Sequence, residues 1–385
     1  MISYMKYLPV IAMLFIIGCR GTGRAHDAMS PDGDDTTANG IASSRHDTSY
    51  GVAPADTTPC VLTMSFGGDV MMGTNHPRNF LPPNDGKNLF DNVRSILLDA
   101  DIAAVNLEGA LRDLGTGTPK SCRDTTRCFT FGMPTAYANN LVDAGIDFVG
   151  IANNHSNDFG AEGLSSTMAT LDNAGIGYAG IKGKCETFYI QRHGKRVGMA
   201  AFGFSSGNLS INDLDYMRKV LKELNDSADI VVVSFHNGAE GRNASHVTHS
   251  CETAFGENRG NPEAFAHAAI DAGADIVWGH GPHVVRAMEL YKDRLIIYSL
   301  GNFVTPYRMS LSGISGHAPV VTVNVDATDG RFIDGHIHSF IQRPGIGPVA
   351  DPSAAAAKRM SRLTAEDFPL TGLAISPDDG HIMRK

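Results

Sequence analysis

With 385 residues, 42% of them hydrophobic, the chain can bury a full core as one large domain or two ordinary ones, which excludes a disordered or fibrous protein. A formal net charge of -9, with no basic block after the N-terminal region, argues against a nucleic-acid surface and suits cationic or metal-bridged ligands.

Residues 1–19 read as a targeting segment, with one cation at Lys6, the apolar run Leu8–Ile17 and then Gly18-Cys19. The run is too short to span a bilayer but matches the core of a secretory signal. Ile16-Ile17-Gly18-Cys19 resembles a bacterial lipobox, in which the cysteine receives lipid and becomes the new N-terminus; an ordinary signal peptide cleaved nearby is the alternative. Either reading predicts export, with the lipobox placing the protein on a bacterial cell membrane, facing the periplasm or the cell surface. Export places the other cysteines in an oxidising compartment. Without Cys19 an odd set remains, Cys60, Cys122, Cys128, Cys185 and Cys251, of which Cys122 and Cys128 flank a short polar loop and are the candidate disulfide. Residues 20–60, rich in Gly, Ser, Thr, Asp, Ala and Pro, read as a flexible tether.

From Val61 the pattern alternates strand and helix. A helical stripe over Asn88–Leu98 precedes a strand at Ile102–Val105, a helix over Pro134–Ala144 precedes a strand at Asp147–Ile151, and a third helix covers Gly163–Ala174. This predicts α/β layering with largely parallel strands. A hairpin follows, Glu186–Gln191 and Lys195–Phe202 about the turn His193-Gly194. Then come the helix Leu214–Leu224, the strand Ile230–Phe235 and the helix Pro262–Ala272. The last third is strand-rich, at Val284–Leu290, Leu295–Ser299, Val320–Val325 and Phe332–Ile341, and predicts a second, mixed or antiparallel sheet packed on the first. Two mixed sheets faced by helices make a four-layer α/β/β/α sandwich over residues 61–345. Residues 346–385 read as a C-terminal helical tail, with Ser353–Leu363 docking on the surface.

Five strands end in polar residues: Ser65–Asp69, Ala104–Glu108, Val149–His155, Val231–His236 and Asp275–Val285, the last carrying His280 and His283. Open α/β sheets gather ligands at the carboxyl ends of strands, so these five predict one divalent-metal site. Mixed His, Asp, Glu and Asn donors suit Mn, Fe or Zn better than Ca or Mg. His336 and His338 share a late strand, and with no third ligand in view they read as an exposed sheet face.

In order along the chain, Gly68–Gly73, Asn106–Gly109, Ala152–His155, Phe235–Glu240, Gly279–Val284 and Tyr298–Phe303 resemble the motif series of the CapA family. These are capsule and poly-γ-glutamate synthesis proteins on the calcineurin-like metallophosphoesterase fold. The resemblance implies a site for one or two metals at the junction of two sheets. Asp69 would be a ligand, Glu108 a bridging carboxylate, Asn154 an amide ligand, His236, His280 and His283 the imidazoles, and His155 the proton donor. It implies a metal-dependent hydrolase or transferase acting on a surface polymer or its precursor, beside a membrane synthase or ligase complex, or else a non-catalytic tethered component of such a machine. Three features depart from the pattern. Met71 stands where phosphoesterases of this fold carry a histidine, the second carboxylate is Glu108 in place of Asp, and residues 241–260 look like an insertion near the site mouth, a lid, a specificity loop or a solvated loop. Asn302 could reach substrate or serve the turn at Gly301, and Glu240 could orient a histidine.

Overall fold

The computed structural model describes residues 60–121 and 128–385. The candidate lipidation site Cys19, the tether and Cys122 lie outside them. Cys128 is disulfide-bonded, whereas Cys60, Cys185 and Cys251 are free thiols.

Two sheets face each other. In the larger, Val61–Val70 runs parallel to Ile102–Leu107, which is followed in parallel by Phe148–Gly150 and Gly177–Ala179. In the smaller, Lys195–Gly203, Ile230–His236, Ile276–His280 and Arg294–Ile297 are parallel, edged by Thr187–Arg192 and Met288–Tyr291. Phe66 on one sheet meets Trp278 on the other, ring centroids 5.0 Å apart, in the core between the sheets. Val105, Leu107 and Val149 turn to the opposite face with the helix residues Leu97, Leu141 and Leu164. Val231, Val233 and Val277 do the same on the smaller sheet against Leu221 and Phe265. The result is the four-layer α/β/β/α sandwich that the alternating pattern predicts.

Several segments differ from their sequence reading. Only Arg94–Leu98 of the Asn88–Leu98 stretch is helical. Asn88 donates through Nδ2 to Asp91 and accepts from Asn84, and such local side-chain bonds compete with the helix ladder. Val320–Asp326 and Phe332–His338 do not build the second sheet. They extend the first, because Val320–Asp326 pairs antiparallel with Val61–Phe66 along the edge opposite Ile102–Leu107, and Phe332–His338 pairs on to it. The Phe332–Ile341 run breaks at Ser339, and Phe340–Arg343 forms a separate ribbon with Gly347–Ala350. Val284–Leu290 is a strand only from Met288. The last forty residues are more than a docked tail. After the helix Ala355–Asp367, the strands Leu373–Ile375 and His381–Arg384 pair into the larger sheet.

Within strands the side-chain period of two decides what meets between the sheets. Ile102 and Ala104 point into the inter-sheet core, and the next positions of that parity are Asn106 and Glu108. Ile230 and Val232 are followed by Ser234 and His236, and Ile276 and Trp278 by His280. In each strand the inward face changes from apolar to polar at its carboxyl end. The first strand has the wrong parity, since Leu62, Met64 and Phe66 face inward and Asp69 would not. A register shift between Phe66 and Asp69 corrects it. Glycine is required there, because a Cβ on Gly68 would lie 2.0 Å from the carbonyl oxygen of Gly301.

Candidate metal centre

Strand register brings the polar ends into two facing rows, Asp69 beside Asn106 in the larger sheet and His236 beside His280 in the smaller. The turn after His280 returns His283 to the same point with φ of 57°. A Cβ at Gly281 in this turn would lie 2.6 Å from the Asn237 carbonyl oxygen, so the backbones of the two loops pack directly.

Among the described residues, ligand atoms of Asp69, Glu108 and His283 lie within 4.8 Å of one another. His283 Nδ1 is 3.0 Å from Asp69 Oδ2, and its Nε2 is 3.7 Å from Glu108 Oε1. His280 Nδ1 is 3.9 Å from Asp69 Oδ1, while its Nε2 is 3.1 Å from Ser234 Oγ, which fixes the ring. Asn106 Nδ2 donates to Asp69 Oδ1 at 2.8 Å and lies 3.4 Å from His236 Nδ1. Asn106 is held in turn by Asn153, whose Nδ2 donates to its Oδ1.

The donor set fits a cation by its unmet bonding. Glu108 Oε1 and Oε2, Asn154 Oδ1, His236 Nε2 and His280 Nδ1 are all buried without a hydrogen-bond partner. Buried polar atoms in native proteins are ordinarily satisfied, so five orphans on four predicted ligands are what a site shaped for divalent metal leaves behind. The electrostatics agree. Burial, then the charge of Asp69, pushes the Glu108 carboxyl well above its ordinary value. Burial alone would raise Asp69, but the hydrogen bond and charge of His283 hold it below. Burial depresses His236 well below the usual imidazole value and takes His280 to about 4, leaving both neutral. His283 is lowered by burial, yet Glu108 and Asp69 lift it to about 10.

His155 stands apart from the ligands. Its Nδ1 is 2.7 Å from Asp158 Oδ2, and its Nε2 is 3.8 Å from Glu108 Oε1. Lys120 Nζ engages the other oxygen of Asp158 at 2.5 Å. The Phe131 ring packs on the imidazole at 4.3 Å. Asn106, Asn153 and Asp158 are supporting residues that the sequence reading did not single out. The signal was present, since Asn106 shares strand parity with Glu108 and Asp158 lies one turn after His155.

Other candidates settle differently. Glu240 does not orient a histidine; its carboxylate pairs with Arg259 at 2.7 Å. Asn302 Nδ2 donates to the Ser315 carbonyl at 3.2 Å, tying down the following loop at the cleft wall. The 241–260 segment is exposed along much of its length but anchored to the fold. It carries a short hairpin, Thr253–Ala254 with Glu257–Asn258, is anchored by the buried Glu252–Arg286 pair, and walls a cleft of about 650 Å³ that opens on His283. Met71 is fully buried and offers no imidazole. His336 and His338 are half-buried, with rings 4.3 Å apart and His338 Nε2 3.2 Å from Thr322 Oγ1.

Comparison with known proteins finds similar relatives. The capsule biosynthesis protein CapA of Bacillus anthracis is 31% identical over 268 residues, covering 63% of this chain and 59% of the relative. The PGA biosynthesis protein CapA of Bacillus subtilis is 28% identical over 259 residues, covering 63% of each. The chain thus spans about six-tenths of the length of these relatives. Among solved structures, a Mycoplasma pneumoniae phosphatase is similar at 14% identity and a TM-score of 0.48, covering 76% of this chain and 96% of that one. The calcineurin-like phosphoesterase YfkN of Bacillus subtilis is similar at 12% identity and a TM-score of 0.42, covering 73% and 91%. A model of the bacterial capsule synthesis protein family PGA_cap matches residues 63–307, well over half of the chain, and the protein belongs to that family.

Proposed function

We propose that this is an exported CapA-like accessory protein of capsule or poly-γ-glutamate-type polymer synthesis, whose metal centre acts on the polymer or its precursor as a hydrolase or transferase. The observation that supports the catalytic part is the Asp69, Glu108 and His283 cluster, together with the buried donors on Glu108, Asn154, His236 and His280 that lack a hydrogen-bond partner. The polymer context rests on family membership and on relatives named for capsule and PGA biosynthesis.

Asp69, Glu108, Asn154, His236, His280 and His283 would hold one or two Mn, Fe or Zn ions. Bound there, such ions supply Lewis-acid charge and lower the pKa of water. The chain's own residues do the rest. Asp158 accepts from Nδ1 of His155, which leaves Nε2 as the atom that passes a proton at the cleft. Phe131 fixes the ring plane, and Lys120 keeps Asp158 in place.

The paired test compares Glu108→Ala and His155→Ala for restoration of surface polymer in a deletion strain. His155→Ala should keep its metal and lose roughly 10²–10⁴-fold in rate, whereas Glu108→Ala should lose both metal and polymer. Full restoration by both variants would exclude catalysis. It would leave the second reading, a tethered non-catalytic component, which the absence of an imidazole at Met71 favours.

Membrane attachment is proposed through lipid on Cys19, from the sequence Ile-Ile-Gly-Cys after a short apolar run. Among the described residues no helix is long and apolar enough to cross a membrane. Cys19→Ala should move the protein from the membrane fraction to the soluble one and remove the lipid mass. A variant that stays membrane-bound at the mass otherwise expected would exclude the anchor.

A further inference from the structure

Three cations line the cleft above the metal centre, Lys120, Arg259 and Arg308. Two of them are engaged by carboxylates. Lys120 is paired with Asp158, and Arg259 is held by Glu240 at 2.7 Å and Glu257 at 2.9 Å. Arg308 differs. Among the described residues it meets no carboxylate, and its guanidinium sits 5.0 Å from the ring centroids of both Phe80 and Phe129. Aromatic faces hold a guanidinium while leaving its in-plane N–H groups available, the fork geometry that matches a carboxylate or phosphate.

The setting is built rather than incidental. Arg308 has φ of 68°, a left-handed conformation uncommon for a residue with a Cβ and often found at ligand-contacting sites. Its loop is stapled at the base, where Thr305 N donates to Gln342 Oε1 at 2.7 Å and Gln342 Nε2 donates to Thr305 Oγ1 at 3.0 Å, both residues buried. From Phe129 an aromatic row leads inward, to Phe131 at 6.2 Å and from there to His155 at 4.3 Å. One wall of the cleft therefore joins the Arg308 guanidinium to the proposed proton donor.

We infer that Arg308, gripped by Phe80 and Phe129, is a specificity residue that binds an oxyanion of the substrate, carboxylate or phosphate, at a distance from the bond presented to His155. The inference rests on the proposed function in taking the cleft as a substrate site, but not on turnover or on the metal. Its test is equilibrium binding to the purified, metal-loaded protein of three probes: a hexamer of γ-linked glutamate, the same hexamer with every carboxyl amidated, and tripolyphosphate. Arg308→Ala should weaken the acidic hexamer, tripolyphosphate or both by roughly 10- to 100-fold and leave the amidated hexamer unchanged. Which acidic probe suffers identifies the oxyanion. Arg308→Lys should recover only part of the loss, because an ammonium cannot offer the planar fork, and Phe129→Ala should weaken the same probe. The inference is overturned if Arg308→Ala binds both acidic probes as the wild type does, or if it weakens acid and amide alike. Metal content, measured on the same samples, should be equal in wild type and Arg308→Ala. Failure of the metal centre would show there, and failure of the oxyanion site in the binding data.

Discussion

Glu108→Met is expected to reverse its effect on stability with metal. Glu108 is fully buried, both of its oxygens lack a hydrogen-bond partner, and Asp69 adds like charge. In metal-free protein such a group costs about 1–3 kcal/mol, more if charged, and an unbranched apolar side chain of similar length removes that cost. With metal present the balance inverts, because ligand at a thousand times its Kd stabilises the native wild type by about 4 kcal/mol and the variant loses that ion. Urea denaturation with and without chelator should therefore find the variant less stable than wild type in metal and more stable in chelator. A variant less stable under both conditions would make Glu108 a structural residue and remove it from the centre.

The second large effect lies in the cleft wall. Arg286 is fully buried and bidentate on Glu252, with Nη1 to Oε1 at 3.1 Å and Nη2 to Oε2 at 2.8 Å, and its Nε donates to the Ala244 carbonyl at 2.8 Å. This group anchors the 241–260 segment to the chain just after His283. Arg286→Ala leaves a buried carboxylate whose remaining donors are Ala239 N at 2.7 Å and Thr248 Oγ1 at 3.2 Å. Breaking such a pair costs about 3–5 kcal/mol. Replacing both partners with methionine should restore most of that loss, since it removes the stranded charge together with its partner. A loss under about 1 kcal/mol in Arg286→Ala would mean that the segment is held by something else.

The layers and the polar strand ends were legible because each follows from local periodicity. Ile276-Val277-Trp278 before His280, and Ile230 to Val233 before His236, are short apolar runs that need no knowledge of the rest of the chain. What was hidden depends on contacts distant in sequence. Nothing near Val320 says that it will pair along Val61–Val70 rather than start a new sheet, and nothing near Leu373 says that it will join the sheet's far edge. The bulge that turns Asp69 inward is signalled only by Gly67-Gly68, whose need for glycine appears once Phe303 and Gly301 lie against them. Asn88–Val93 read as helix because its apolar spacing fits, while the competing bonds of Asn84, Asn88 and Asp91 carry no periodic signature. Arg308 had no sequence signal at all, since Phe80 and Phe129 reach it only in the fold.

The central claim is that polar strand ends from two sheets form one metal centre, and the most direct measurement is elemental analysis of protein purified without chelator, alongside Asp69→Ala and His280→Ala. One residue comes from each sheet, so a shared centre must feel both changes. The account predicts one or two equivalents of a transition metal in the wild type and a substantial loss in each variant. Metal content unchanged in both variants would contradict it.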